Sequence, residues 1–251
     1  MLRIGFVLHP DTKNFKPFKF QPLTSLYLLT ILEEKFGNKL DLSLIDLRGI
    51  SEENVRYYVP EMDVYLYSAL TPEYSSVCQV RDLIRLIYPK SLHIAGGVHI
   101  NLYPEESAKE FDAIALGEGE ETIVQIIKDI FAGCLKPVYK SSQVVDLNQY
   151  PYPSRKHLPL HAVVDAELLH GDDVHLIGAN VLFSRGCPFR CSFCANLNFG
   201  PTRFREPILI EEEIEYLKKE YGVEALVLRD DNAIPVNKKI AKPFKLLDVL
   251  E

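Results

Sequence analysis

The sequence predicts an α/β protein: a doubly wound parallel sheet covered by helices on both faces, followed by a second, shorter α/β segment. Three observations predict it. From Met1 to Phe131, short apolar strand-like runs alternate with amphipathic helix-like runs. A polar stretch holding Pro151, Pro153 and Pro159 then breaks the pattern. Beyond it the alternation resumes as β-α-β-α.

The elements follow in order. Arg3 to Leu8 reads as an apolar strand. Leu23 to Phe36 reads as a helix, with Leu23, Leu26, Tyr27, Ile31 and Leu32 apolar and Gly37 as its stop. Leu40, Leu42 and Leu44 alternate through Asp46, which suits a half-buried strand. Ser51 to Val55 looks like a helix start. Asp63 to Ser68 is a strand, Ser75 to Tyr88 a helix, and Leu92 to Ala95 a strand closed by Gly96 and Gly97. Glu105 to Phe111, Asp112 to Leu116 and Glu120 to Phe131 complete the series as helix, strand and helix. Ligands of such sheets bind at the carboxyl ends of the strands. Those ends carry His9-Pro10, Ser68 to Thr71, Gly96 to His99 and Gly117 to Glu120.

The domain boundaries follow the texture: 1–145 a complete Rossmann-type or flavodoxin-like unit, 146–175 a Pro-containing linker, and 176–251 a second unit. In the second, Leu176 to Ser184 is a strand, Arg185 to Gly200 a loop, Ile210 to Tyr221 a helix stopped by Gly222, and Ala225 to Leu228 a strand. Lys238 to Leu250 reads as helix interrupted by Pro243. Glu211 to Glu213 reads as an acidic first turn.

Composition narrows the function classes. At 251 residues, 47% hydrophobic and 25% charged, the chain can bury a core, and disorder, collagen and coiled coil are excluded. A net charge of −7 argues against a phosphate-driven nucleic-acid binder. The most apolar run, Leu23 to Leu32, is too short for a bilayer, and no secretory leader is legible, so the expected compartment is the cytoplasm.

The chemistry concentrates in the cysteines. Of five, Cys187, Cys191 and Cys194 fall in one loop directly after a strand, while Cys78 and Cys134 lie far upstream. Three thiolates at x3 and x2 spacing can hold three irons of a [4Fe–4S] cluster and leave the fourth iron open to a chelating ligand. A structural zinc site would need a distant fourth ligand, a ferredoxin-type cluster a fourth Cys, and a cluster of buried thiols a less polar loop. Cys78 and Cys134 read as incidental core or surface residues.

Cys187-x3-Cys191-x2-Cys194, with Phe193 before the third Cys, resembles the motif of the radical S-adenosylmethionine (SAM) superfamily. Further pieces resemble its cobalamin (B12)-dependent class: Pro22 to Leu29, Gly96-Gly-Val-His99, Pro104-Glu-Glu106, Leu116 to Thr122, Asp146 to Pro153 and Asp230-Asp-Asn232, with Arg203 and Arg205 after the Cys loop. The resemblance implies that Cys187, Cys191 and Cys194 ligate the cluster. It implies that Phe193, Arg203, Asp230 and Asp231 face SAM. It implies that Ser68, Thr71, Gly96, Gly97, His99, Gly117, Glu118 and Glu120 contact cobalamin. Reductive cleavage of SAM to a 5′-deoxyadenosyl radical would then serve a reaction such as methyl transfer to an unactivated carbon of a small-molecule or natural-product substrate, with a flavodoxin or ferredoxin as electron donor. The Asp-x-His-x-x-Gly corrinoid motif is absent, which implies no imidazole supplied below cobalt in that manner.

From the residues alone, Gly96 and Gly97 let a flat ligand approach the backbone. Gly-Gly at a strand end is equally a tight turn. His99 also reads as a solvated or capping residue, and Asp230 and Asp231 as caps of the next helix.

The resemblance also implies a barrel of six β-α units after the strand at residue 176. Six units need roughly 190 residues, so two fit before Glu251. The expectation is a chain truncated within the barrel, or one completed by a second chain. The alternative of a different class is a non-catalytic corrinoid-binding module carrying a vestigial radical SAM segment. A methylthiotransferase is set aside, because it needs three further cysteines upstream and only Cys78 and Cys134 are there.

Overall fold

Parallel pairing of short apolar runs builds the first sheet. In the computed structural model, described over residues 1–11, 17–18, 20–141, 144–159, 176–194 and 202–231, the chain divides into two compact units. Met1–Pro17 with Thr24–Val145 form the first, and Phe18–Leu23 with Asp146–Glu251 the second.

The first unit contains β1 (Leu2–Leu8), α1 (Leu23–Phe36), β2 (Leu40–Asp46), α2 (Val55–Tyr58), β3 (Val64–Ser68) and α3 (Tyr74–Ile87). It continues through β4 (Leu92–Gly96), α4 (Val98–Leu102), α5 (Pro104–Glu110), β5 (Ala113–Leu116), α6 (Gly119–Phe131) and β6 (Val138–Lys140). The six strands lie in the order β2-β1-β3-β4-β5-β6, and every pair is parallel. The order reverses between β1 and β3, the place where such sheets open a crevice at their carboxyl edge.

β3 shows why the sheet is covered on both faces. Its residues alternate between two cores. Val64 and Leu66 pack with Leu29 and Leu32 of α1 and with Ile123, Ile126 and Ile127 of α6. Tyr65 and Tyr67 pack with Val77, Val80 and Ile84 of α3 and with Phe111. In α1 the buried Thr30 hydroxyl donates back to the Leu26 carbonyl at 2.7 Å, so a polar side chain is satisfied inside an apolar helix.

The second unit contains β7 (Gly178–Val181), β8 (Ser184–Arg185), β9 (Arg203–Phe204), α7 (Pro207–Tyr221) and β10 (Ala225–Leu228). β7 pairs with β10 in parallel, Gly178 opposite Ala225 and Val181 opposite Leu228. β8 pairs with β9 antiparallel. Ala179, Val181 and Phe183 pack on Ile210 and Leu217 of α7. By the two-residue period of a strand, Asn180 therefore lies on the opposite face.

Three readings change. The strand read as Leu176 to Ser184 ends at Val181, because the chain then leaves β10 and pairs with β9 instead. α7 starts at Pro207, where a residue without an N–H fits the first helical position, so Glu211 to Glu213 fall past its first turn. Residues 146–159, read as linker, include groups built into the second unit. Arg155 is fully buried there and donates to Glu213 Oε1 at 2.8 Å, to the Asn180 carbonyl at 2.6 Å and to the Pro153 carbonyl. The readings of residues 160–175, 195–201 and 232–251, among them Asn232 and the helix at Lys238 to Leu250, lie outside the described residues.

Candidate functional site

The cysteine loop begins at the end of β8, within the second unit. Gly186 takes φ +96, a conformation that a side chain disfavours, and turns the chain out of β8 into Cys187. None of the three cysteines is in a disulfide; Cys187 is half-buried, and Cys191 and Cys194 are exposed. The Cys194 amide donates to the Cys191 carbonyl at 3.0 Å, which closes a turn between the last two. Phe189 and Phe193 lie on the same loop, and Phe193 is 89% exposed.

Among the described residues, no three His, Cys, Asp or Glu side chains converge on a point that could hold one metal ion. In a [4Fe–4S] cluster each thiolate binds its own iron, so cluster ligands need not share such a point. The donor set fits the cluster: three thiols outside any disulfide on one short loop, with two exposed aromatic rings beside them. The strand behind the loop offers unfilled polar capacity as well. The Asn180 side-chain amide is fully buried with no hydrogen-bond partner. A buried polar group without a partner is costly unless a ligand or water satisfies it.

The other predicted SAM-facing residues, and Arg205 of the basic pair, occupy different positions. Arg203 stands opposite Arg185 in the β8–β9 pair. Arg205 is buried and turns its guanidinium to the carbonyls of Tyr150 (3.1 Å) and Pro151 (3.2 Å). Asp230 accepts the backbone amides of Ser184 and Phe183, the latter at 3.4 Å, and Asp231 accepts that of Gly186 at 3.3 Å. Burial pushes the Asp230 carboxyl above the usual carboxylate range, and hydrogen bonds from the Ser184 hydroxyl and then from the backbone amides oppose that shift.

At the carboxyl edge of the first sheet, Ser68, Thr71, Gly96, Gly97 and Gly117 are half-exposed or exposed. Gly97 has an internal reason to be glycine. Its φ is +97, and a Cβ there would lie 2.8 Å from the Ala69 nitrogen and 2.9 Å from the Ser68 hydroxyl oxygen. The close approach is thus made by the chain's own β3 end. His99 belongs to the wall of this edge and is not solvated. It is buried in α4, its ring centroid 3.7 Å from Tyr74 and 4.8 Å from Tyr103, with Nδ1 3.3 Å from the Thr71 hydroxyl and Nε2 without a hydrogen-bond partner. Glu118 accepts the Val145 amide at 2.7 Å, and Glu120 is buried in the first turn of α6.

Sequence reasoning missed Asn101. Its side chain donates to the Gly97 carbonyl at 2.8 Å and accepts the Gly117 amide at 2.7 Å, which clips the loop after β4 to the loop after β5. An Asn two residues beyond a Gly-Gly-x-His run was the available signal. It missed Arg155, Asn180 and Glu213 too, because a charged or amide side chain in a Pro-rich or strand context carries no mark of burial.

Among the described residues, no helix is long and apolar enough to cross a membrane. No protein-family model matches the chain. It is similar to a protein of Pyrococcus horikoshii named as an uncharacterized methyltransferase, 28% identical over 90% of this chain and 51% of that protein. It is 26% identical to the anaerobic magnesium-protoporphyrin IX monomethyl ester cyclase of Rubrivivax gelatinosus, over 82% of this chain and 40% of the relative. It is 31% identical to the bacteriochlorophyllide d C-8(2)-methyltransferase of Chlorobaculum tepidum, over 63% of this chain and 35% of the relative. The chain therefore spans about half or less of the length of these relatives, and over that span it is similar to enzymes named for methyl transfer and for an anaerobic cyclisation.

Proposed function

We propose that the chain is the cofactor-binding portion of a B12-dependent-type radical SAM enzyme, one that transfers a methyl group to an unactivated carbon of a small-molecule substrate. The observation that carries this reading is the Cys187–Cys194 loop: three thiols outside any disulfide, with x3 and x2 spacing, placed by a Gly186 turn at the end of a strand segment. The relatives named as methyltransferases support the reaction class.

When bound, a [4Fe–4S] cluster supplies the electron that cleaves SAM, and a methylated corrinoid supplies the methyl group. Cys187, Cys191 and Cys194 hold the cluster. Phe193 lies open beside them and would contact SAM near its adenine, while Arg203 would face SAM from the strand after the loop. The buried Asn180 amide offers a donor and an acceptor on the strand leading into the loop. In the first unit, Ser68, Thr71, Gly96, Gly97 and Gly117 form the accessible edge for the corrinoid. His99, Glu118 and Glu120 shape that edge from beneath. A flavodoxin or ferredoxin is the electron donor, in the reducing cytoplasm that such thiolates require.

Anaerobic reconstitution with iron and sulfide tests the proposal. The expected result is the charge-transfer absorbance of a [4Fe–4S] cluster, lost in Cys191→Ala, followed by 5′-deoxyadenosine on reduction with SAM. No absorbance, or the same absorbance in Cys191→Ala, sinks it. The open edge of the first sheet favours one second reading, a corrinoid-binding module without SAM chemistry. Visible titration with hydroxocobalamin that saturates in a chain which takes up no cluster would select that reading.

A further inference from the structure

β10 stops hydrogen-bonding as a strand just short of the cysteine loop. Leu228 is its last paired residue, opposite Val181, and the Arg229 amide donates to the Val181 carbonyl at 2.8 Å. Past that rung β7 has ended, and the chain runs through Phe183 and Ser184 toward Gly186. Amides in such a passage need acceptors, because an unpaired buried N–H costs about as much as a lost hydrogen bond. Asp230 and Asp231, the next two residues after Arg229, supply three. Asp230 takes Ser184 N on Oδ1 and Phe183 N on Oδ2, and Asp231 takes Gly186 N on Oδ2. All three amides lie in the four residues immediately before Cys187.

We propose that Asp230 and Asp231 are positioning residues for the cysteine loop. Their carboxylates replace the next rung of the β7–β10 ladder, fix the backbone from Phe183 to Gly186, and so set the point from which Cys187 departs. Both oxygens of Asp230 and one of Asp231 are engaged in this way, so the pair serves the backbone that leads into the loop. The relevance to cluster binding rests on the function proposed above; the tether itself does not.

Hydrogen exchange on the full chain, before any iron is added, tests the tether. In Asp230→Ala and Asp231→Ala, exchange over residues 183–187 should accelerate about tenfold or more, the effect of losing a charge-assisted hydrogen bond. Asp230→Asn and Asp231→Asn keep an acceptor oxygen and should restore part of the protection. After anaerobic reconstitution, the alanine variants should hold severalfold less iron than the parent. Their residual cluster should differ from the parent's in its electron paramagnetic resonance signal. If Asp230→Ala fails to fold, Asp231→Ala, whose side chain is exposed, decides the matter at Gly186.

Unchanged exchange in both alanine variants overturns the proposal whatever happens to the cluster. Unchanged exchange and iron, with severalfold weaker SAM binding by calorimetry, overturns it in favour of a SAM-facing role. Accelerated exchange in the alanine variants of a chain whose parent binds no cluster leaves the tether standing and removes the radical SAM reading.

Discussion

Arg155 and Glu213 form an ion pair at 2.8 Å in which neither side chain has any solvent exposure. One residue comes from the stretch after Pro153 and the other from α7, so the pair closes that stretch onto the second unit. The same guanidinium holds the Asn180 carbonyl, at 2.6 Å, on the strand that leads toward the cysteine loop.

Removing one member of that pair leaves the other charge buried alone. Arg155→Met or Glu213→Leu should each destabilise the second unit by about 3–5 kcal/mol in urea unfolding. The double substitution should cost less than the sum of the two. Full additivity would show that the pair is not coupled.

The buried His93 makes the first unit sensitive to acid. Its Nδ1 lies 2.9 Å from the Tyr67 hydroxyl and its Nε2 3.2 Å from the Ser91 hydroxyl. Burial first, and then the charge of Arg85, hold the imidazole down to about 4, below its ordinary 6.5. The unfolded chain therefore binds the proton more readily. Stability present above pH 6.5 should fall as pH drops toward 4, by an amount on the order of 3 kcal/mol in total. Denaturation midpoints measured across that range should slope less in His93→Gln than in the parent.

Gly97→Ala should destabilise the first unit by about 2 kcal/mol or more, because a side chain is strained at φ +97 and its Cβ would strike the backbone of Ala69. Gly96→Ala, whose nearest contact would be 3.5 Å, should cost less. Thermal melts of the two variants compare them directly. Equal losses would mean that the β3 end yields.

If the loop holds a cluster, Cys187→Ala, Cys191→Ala and Cys194→Ala should each lower bound iron and sulfide after reconstitution severalfold. Cys78→Ala and Cys134→Ala should leave both unchanged, since those thiols lie in the other unit. Iron loss in Cys134→Ala would break the three-ligand assignment.

The first unit was legible because its period and its stops agree. α1 runs from Leu23 to Phe36 and β2 from Leu40 to Asp46, as their apolar spacing and Gly37 indicate. α4 was hidden, since Gly96-Gly97 reads as a turn and Val98–Leu102 is only one helical turn. β6 was hidden as well, a three-residue edge strand behind Pro137. The cysteine motif is local and shows in the sequence. The roles of Asp230 and Asp231 depend on where β7 stops pairing, and that is a tertiary fact. Arg155 sits among prolines, where a charged side chain reads as solvated until Glu213 is brought to it.

Asn101 reaches the Gly97 carbonyl with its nitrogen and the Gly117 amide with its oxygen. Reversing the amide would set donor against donor and acceptor against acceptor, so its orientation is determined by its partners. One side chain is therefore the gauge of the mouth between the β4 and β5 loops. Aspartate at this position would keep the Gly117 bond and set a carboxylate against the Gly97 carbonyl. The two loops would then part on one side only, and any flat molecule seated across them would tilt.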